Sequence, residues 1–251
     1  MTNVISGLDA LNMLNDEGQG GQQNKFTPLN MGDSKTVRVI ELSDVLAKYT
    51  YSIYKQVPTF APEKLPKLSD KGNPYGDYTP FDLAFNYHMD KSKEFGDEAS
   101  QEAYKYKIKP RFAFGFYDLD EKKFIVIDFS KKQGQSVKAA IEKQKDRLDK
   151  RAFELEKDNN GTVHMTPEPV DDLKPSQQKA FEEAPKEFDK SLFENLYFTR
   201  DEEQMKEALQ TAGFDLSLIG LEPPKGEEEK TQAEENPYAA PETLEDPTQN
   251  F

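Results

Sequence analysis

Apolar and polar positions alternate along much of this chain, most clearly in YKYKIKPRFAFGFYDL, residues 104–119. Successive side chains of a strand point to opposite faces, so this pattern predicts a strand over residues 104–116. One predicted face carries Tyr104, Tyr106, Ile108, Phe112, Phe114 and Phe116, and the other carries Lys105, Lys107, Lys109, Arg111, Ala113 and Gly115. The ordinary interpretation is a solvated cationic face and a buried apolar face, with the three phenylalanines in the core.

The same pattern predicts further strands on both sides of this segment. KTVRVIEL (35–42) and the tyrosine-rich LAKYTYSIYKQV (46–57) precede it, and KFIVIDF (123–129) follows it. AFELEKD and TVHM flank the sequence Asn159-Asn160-Gly161, which is typical of a β-hairpin turn. Residues 58–103 are predicted to form a long irregular insert rich in proline and aromatic residues, and loops of that length are usually functional.

One helix is predicted between the fourth strand and the hairpin. Ser130 and Gln133 form a capping-box pattern that opens a helix to about Leu148, with Val137 and Ile141 on its buried face. The order of elements is therefore β-β-insert-β-β-α-β-β. It predicts an α+β protein, mainly β with helices, built as a small OB-fold-like barrel that is closed or partly open.

The last third of the chain is predicted to be helical and then irregular. Residues 175–196 have a weak helical pattern that Pro185 interrupts. Thr199 and Glu202 predict the start of a clearer helix through about Ala212. Beyond it, apolar residues are too few to offset the entropy of ordering, so the sequence predicts a disordered end.

These patterns divide the chain into four predicted regions. Residues 1–25 hold an amphipathic segment (3–14) and a flexible GQGGQQ linker; residues 26–167 form the OB-fold-like core; residues 168–222 form an acidic helical extension; and residues 223–251 form the acidic tail. The segment 3–14 is expected to dock on its own core, on a second copy of the chain or on a partner, unless it is a disordered tail.

Charge is distributed unevenly along the 251 residues, which carry a net charge of −14. Residues 1–165 hold 25 basic and 25 acidic residues, whereas residues 166–251 hold 8 basic and 22 acidic ones. The acidity therefore belongs to the C-terminal third. The N-terminus has no basic region followed by an apolar run, and no apolar stretch reaches about 18–20 residues, so we expect a soluble, cytosolic protein.

The residues that most enzymes and metal sites need are scarce. The chain has no cysteine and only two histidines, His88 and His164, and it has no GxSxG, P-loop or HExxH motif. Asp118, Asp120 and Glu121 are grouped, but a tight turn accounts for them. We predict a protein that is not an enzyme and that holds no metal or cofactor. A metal-dependent enzyme built on carboxylates is the alternative that this cluster leaves open.

The cationic row and the aromatic insert together favour a protein that binds single-stranded nucleic acid. Such a protein needs rings on which bases stack and a basic groove for the phosphates. The predicted contacts are Arg38, Lys48, Tyr49, Tyr51, Tyr54, Lys55, Phe60, Tyr75, Tyr78, Lys105, Lys107, Lys109 and Arg111. Ala113 and Gly115 would let a base or backbone approach the sheet. For the tyrosines, packing in the core is the equal alternative.

The acidic tail fits the same hypothesis. A disordered anionic tail competes with nucleic acid for a basic groove and can present a terminal motif to replication or recombination proteins. In LEDPTQNF, Phe251 offers a ring and a carboxylate beside Glu245 and Asp246, which suits an apolar pocket with a basic rim. A tail that only improves solubility is the alternative.

The segment FIVIDFSKKQGQSVKAAIEKQKDRLDKRAFELEKDNNGTVHMTP (124–167) resembles the end of the barrel in phage-encoded single-stranded DNA-binding proteins. Many of them read F-x-L-x-K before a glycine-bearing turn, as FELEKDNNGT does here. The group includes the T-even helix-destabilising protein and equivalents from phages of Gram-positive bacteria. The ending DPTQNF is similar to the acidic, phenylalanine-ended tails of bacterial single-strand binders.

The resemblance covers roughly residues 26–166 and the tail. It implies an OB-fold, no catalysis, little sequence preference, and a role in phage DNA replication, recombination or repair in the cytoplasm of the host bacterium. The chain departs from the T-even pattern because it lacks a Cys/His zinc set and a basic N-terminal arm. The rival hypothesis is a phage adaptor or inhibitor that binds a host protein through its acidic third. The choice between DNA and RNA stays open.

Overall fold

The computed structural model describes residues 25–223. The amphipathic segment 3–14, proposed for self-association, and the tail residues Glu245, Asp246 and Phe251 lie outside the described residues. Within residues 25–223, no helix is long and apolar enough to cross a membrane.

The described chain is a mixed α+β structure, as the sequence predicts. Eight strands form one large, mostly antiparallel sheet: β1 Ser34–Arg38, β2 Val45–Ile53, β3 Val57–Pro62, β6 Lys109–Asp118, β7 Lys123–Ser130, β8 Arg151–Lys157, β9 Val163–Pro169 and β10 Thr199–Arg200. A separate hairpin pairs β4 Lys67–Leu68 with β5 Pro74–Gly76. The five described helices are α1 Pro80–Met89, α2 Glu98–Tyr104, α3 Lys131–Glu142, α4 Pro175–Glu183 and α5 Glu202–Thr211.

Strand β6 is the branch point of the sheet. One of its edges pairs first with β2 and then with β1, and its other edge pairs with β7. Strands β8 and β9 continue the sheet beyond β1, and β3 and β10 continue it beyond β2, with β10 parallel to β3.

The sheet is open, so of the two predicted forms, a closed or a partly open barrel, the closed one is wrong. Within residues 25–223, β7 pairs with β6 alone and β9 with β8 alone. Helix α3 packs against β7 and β9, and its Val137 and Ile141 are buried with the inward-facing residues of both strands. The space between the two strand edges is therefore filled by helix side chains instead of strand pairing.

Both faces of the sheet are covered over much of their area. On the inner face, Phe114, Phe116 and Phe129 form a cluster with α3, which confirms the predicted burial of Phe114 and Phe116. Phe112, also predicted to be in the core, is partly buried against this cluster. Nearer the start of β6, a second cluster joins the insert to α5. On the outer face, α4 covers one part, and residues 184–198, called the strap below, cover the next.

The insert is more regular than the sequence predicts. Residues 58–103 contain β3, the β4–β5 hairpin, α1 and most of α2. Thr79 accepts a hydrogen bond from the backbone N–H of Asp82, and Asp82 accepts one from the backbone of Thr79, with proline at the start of the helix. This four-residue capping pattern, T-P-x-D, is present in the sequence. The many prolines of the insert favoured an irregular segment, so the helix was not predicted.

The long strand predicted over residues 104–116 begins later, at Lys109. Asp97 caps α2, which runs to Tyr104, and Lys105 keeps a helical backbone conformation. Tyr106 and Ile108 then enter the second cluster. Local helix formation and burial of these side chains therefore override the period-two pattern before residue 109.

Two predicted helix boundaries also shift. The capping box of Ser130 and Gln133 at α3 is confirmed, but the helix ends at Glu142, before Leu148. Helix α5 begins after Asp201, whose side chain accepts a hydrogen bond from Gln204 N–H, because Thr199 is taken into strand β10.

Candidate nucleic-acid interface

The strand register brings three of the predicted cations together on the outer face. Lys48 on β2 lies opposite Arg111 on β6, and Thr50 lies opposite Lys109. Directly opposed residues of antiparallel strands point to the same side of the sheet. Lys48, Lys109 and Arg111 therefore share one face, and together with Lys107 they are called the basic surface.

The lysines of the basic surface are at or near solvent. Lys48 and Lys109 are exposed, and Lys107 is half-buried with its Nζ 4.9 Å from the centre of the Tyr104 ring. Burial, followed by the positive charge of Lys109, lowers the pKa of the Lys107 amine. Burial is the larger cause, and the smaller one is the closeness of the two cations, which an anion bound between them would relieve.

Arg111 is bound to a carboxylate. Its Nε and Nη2 donate hydrogen bonds to Asp128 Oδ2 over 3.0 and 2.8 Å. The other oxygen, Oδ1, accepts a hydrogen bond of 2.8 Å from the Tyr197 hydroxyl, which belongs to the strap. Burial, followed by the charge of Asp128, raises the pKa of Tyr197. Tyr197 therefore stays a hydrogen-bond donor at neutral pH.

The small residues at the end of the cationic row face the strap, not an open groove. Ala113 is buried in the cluster that contains Phe188, Leu196 and Tyr197. A Cβ added to Gly115 would clash with the ring of Phe188. The expectation that a base or backbone approaches the sheet here is therefore wrong for this state of the chain, because an aromatic side chain of the protein occupies the space.

The strap limits the accessible part of the outer face. Leu46, Ala61 and Val126 pack in the same cluster as the strap residues. Further along β2 and β6, Lys48 and Lys109 are exposed. Among the described outer-facing residues of these two strands, Lys48 and Lys109 are thus the exposed ones, whereas Thr50, opposite Lys109, is buried.

Two other predicted cations lie apart from this surface. Arg38 Nη1 donates a 2.5 Å hydrogen bond to the carbonyl oxygen of Phe181, and its guanidinium lies 4.5 Å from the centre of that ring. Burial lowers its pKa. Lys105, at the end of α2, forms a 2.5 Å ion pair with Glu102. Arg38 therefore anchors α4 to the sheet, and Lys105 belongs to a helix surface.

The predicted aromatic contacts separate into buried and exposed groups. Tyr51 and Phe60 are fully buried, and the Tyr51 hydroxyl donates to Asp82 over 2.9 Å. Tyr49 is half-buried beside the turn of the β4–β5 hairpin. Exposed rings are offered by Tyr54, Tyr75 and Tyr78, which are 42%, 62% and 43% accessible, and Lys55 Nζ lies 5.2 Å from the Tyr54 ring.

The sequence interpretation missed neighbours of the basic surface. Ser130 lies opposite Arg111, and Asp128 lies opposite Ala113. In FIVIDFS these two polar residues alternate with Ile127 and Phe129, so the pattern did place them on the outward face. Lys131 is exposed in the first turn of α3, where a positive charge is unfavourable for the helix. Its position was a second sign in the sequence that this region has a function other than stability.

The carboxylate group near the β6–β7 turn has a structural explanation. Asp118 is buried, accepts hydrogen bonds from the backbone N–H groups of Asp120 and Glu121, and pairs with Lys35 over 3.1 Å. Over residues 25–223, no group of three or more His, Cys, Asp or Glu side chains is arranged to hold a metal ion.

No protein family, no curated protein and no solved structure matches this chain.

Proposed function

We propose that this chain binds single-stranded nucleic acid, with DNA as its main ligand, through the basic surface. The observation that carries the proposal is the strand register that places Lys48 and Lys109 beside Arg111 on an open face, in a chain whose net charge is −14. Phosphates supply most of the affinity of such sites and need clustered cations.

The order of strand pairing supports the proposal. Strand β1 pairs with β6 and β8, the hairpins β6–β7 and β8–β9 follow it, and α3 lies between the hairpins. An order of this kind is expected of a partly open OB-fold, in which the second and third strands and the loop after the first strand contact oligonucleotides. Here those strands correspond to β6 and β7, and the connection after the first strand corresponds to residues 39–108, which contain β2 and the insert.

Exposed rings of the insert and of the β2–β3 turn before it supply the stacking part of the proposal. Tyr75 and Tyr78 lie on and after the β4–β5 hairpin, and Tyr54 lies in the β2–β3 turn. Stacking on such rings contributes about 1–3 kcal/mol per base and tolerates any sequence. Binding would therefore be sequence-tolerant, as expected for a protein that coats template strands during phage DNA replication, recombination or repair without catalysing a reaction.

The acidic end of the chain completes the proposal as a competitor. Residues 223–251 would occupy the basic surface when no nucleic acid is bound, and Glu245, Asp246 and Phe251 would recruit replication or recombination proteins. Truncation after residue 222 should therefore tighten oligonucleotide binding. Equal affinities of the truncated and full chains would contradict this part alone.

The direct test is fluorescence anisotropy with labelled oligo-dT and a matched duplex over a salt series. Replacing Lys48, Lys107 and Lys109 together by alanine should weaken oligo-dT binding and reduce the log–log salt slope by about 2, from about 0.7 for each lost phosphate contact. The matched control replaces Lys138, Lys143 and Lys150, three exposed lysines on or after α3, and changes net charge equally.

Two outcomes of this test would contradict the proposal. One is the absence of oligo-dT binding by the full chain and by residues 1–222, which would favour a protein partner for the acidic third. The other is an equal loss of affinity in both triple variants, which would mean that net charge matters and the basic surface does not. Circular dichroism of each variant checks that the fold is kept.

A further inference from the structure

We propose that Asp128 is a built-in competitor for Arg111, which nucleic acid must displace before this arginine contacts a phosphate. The inference rests on the proposed function and identifies the residue that limits the affinity of the same site. It assigns a role to an acidic side chain that lies among the cations of the basic surface.

The geometry of the pair is that of an occupied phosphate contact. Two N–H groups of Arg111 converge on one oxygen of Asp128, at 3.0 and 2.8 Å. Arginine binds carboxylates and phosphates through the same fork of donors. The side chains of Arg111 and Asp128 are 24% and 17% accessible, so a phosphate can reach the pair from solvent.

Tyr197 keeps the carboxylate in place during such an exchange. Its hydroxyl donates to Oδ1 of Asp128, whereas Arg111 is bound to Oδ2. If Arg111 turns to a phosphate, Asp128 keeps its hydrogen bond from the strap. The Tyr197 ring is buried against Phe26, with 5.0 Å between ring centres, so this partner does not follow the arginine.

The neighbours explain why the exchange matters for affinity. Lys48 lies opposite Arg111 across β2 and β6, and Lys109 lies two residues before it on the same face. A phosphate held by the lysines is therefore adjacent to both Arg111 and the negative charge of Asp128. Because Arg111 exchanges one anion for another, it adds little net affinity in the native protein, and Asp128 repels the incoming phosphate.

Asp128→Asn tests this inference because it removes the charge and keeps the shape and an oxygen acceptor for Tyr197. We expect about three- to tenfold tighter binding of oligo-dT and a steeper log–log salt slope, since the negative charge that offsets Arg111 at the site is removed. Glu156→Gln, an exposed carboxylate on β8, is the control for net charge and should change neither quantity.

A double-mutant cycle separates competition from general electrostatics. Arg111→Ala should have a small effect in the native background and a clearly larger one in the Asp128→Asn background. Unchanged or weaker binding by Asp128→Asn would overturn the inference, and weaker binding would show that Asp128 positions Arg111. If the native chain fails to bind oligo-dT at all, the proposed function is wrong, and the inference falls with it.

A measurement on the native protein avoids any effect of substitution on folding. The Arg111 Nε–H resonance, assigned by comparison with Arg111→Lys, should shift when unlabelled oligo-dT is added, as the arginine leaves Asp128. An Arg111 resonance that stays unchanged when oligo-dT saturates the protein would overturn the inference.

Discussion

Replacement of Gly115 by alanine tests whether the strap is packed on the sheet as described. Three atoms of the Phe188 ring lie within 3 Å of the position of the added Cβ, and Phe188 is itself 6% accessible. Overpacking of this kind costs about 1–3 kcal/mol. Alanine also restricts the unfolded chain, which offsets about 0.4–1 kcal/mol. We therefore expect a net loss of about 0.5–2 kcal/mol in the free energy of unfolding.

The assay is urea unfolding followed by circular dichroism, with a lower transition midpoint and an unchanged m-value as the expected result. Gly134→Ala is the matched control, because its Cβ would meet Phe112 Cβ at an ordinary 3.5 Å and alanine is the better residue inside α3. That variant should be more stable by up to about 1 kcal/mol. Phe188→Leu in the Gly115→Ala background should recover part of the loss, since the two sites are in contact. A Gly115→Ala midpoint at or above that of the native protein would refute the packing.

Three further predictions follow from single side chains. Lys109→Ala should weaken oligo-dT binding in the anisotropy assay, whereas Lys105→Ala should leave it unchanged because Lys105 pairs with Glu102. Arg38→Lys should lower the free energy of unfolding by about 1–2 kcal/mol in urea, through the lost hydrogen bond to Phe181, without changing oligonucleotide affinity. Burial raises the pKa of Tyr106 from 10.0 to about 12, so the unfolded chain loses this proton first. The free energy of unfolding should therefore fall as pH rises from 10 to 12, and less steeply in Tyr106→Phe.

Period-two patterns allowed most of the sheet to be predicted, but not what covers it. The alternation in FIVIDFS and in residues 109–118 identifies two faces correctly, because side-chain direction in a strand is a local property. Which face meets the strap is decided by Phe188, far away in sequence from Gly115. Small residues such as glycine and alanine on a strand leave room for a ligand, for another backbone segment or for an aromatic ring of the same chain. The local sequence does not distinguish between these three.

The candidate site shows the same division between local and long-range information. Lys48 faces Arg111 because of the register of β2 against β6, and 55 residues (54–108) separate these two strands in the sequence. Sequence reasoning found both residues through composition and alternation, and missed the acidic neighbour that pairs with one of them. Lys105 was misplaced because its helix cap, Asp97, lies outside the alternating segment.

The size of the basic surface bears on how a nucleic acid would bind. From Lys107 to Arg111 the backbone advances four residues, which is about 13 Å in an extended chain. The strap closes the outer face beyond Arg111, so the strand cannot continue over Ala113 and Gly115. OB-folds bind about 4–16 nucleotides, more than such a short row can contact. Under the proposed function, the rest of the contact would come from the β2–β3 turn and the insert, where Tyr54, Tyr75 and Tyr78 are exposed. Replacing these three tyrosines by leucine should shorten the oligo-dT length at which affinity stops rising, while leaving the salt slope unchanged. An unchanged length dependence would place the remaining contacts elsewhere on the chain.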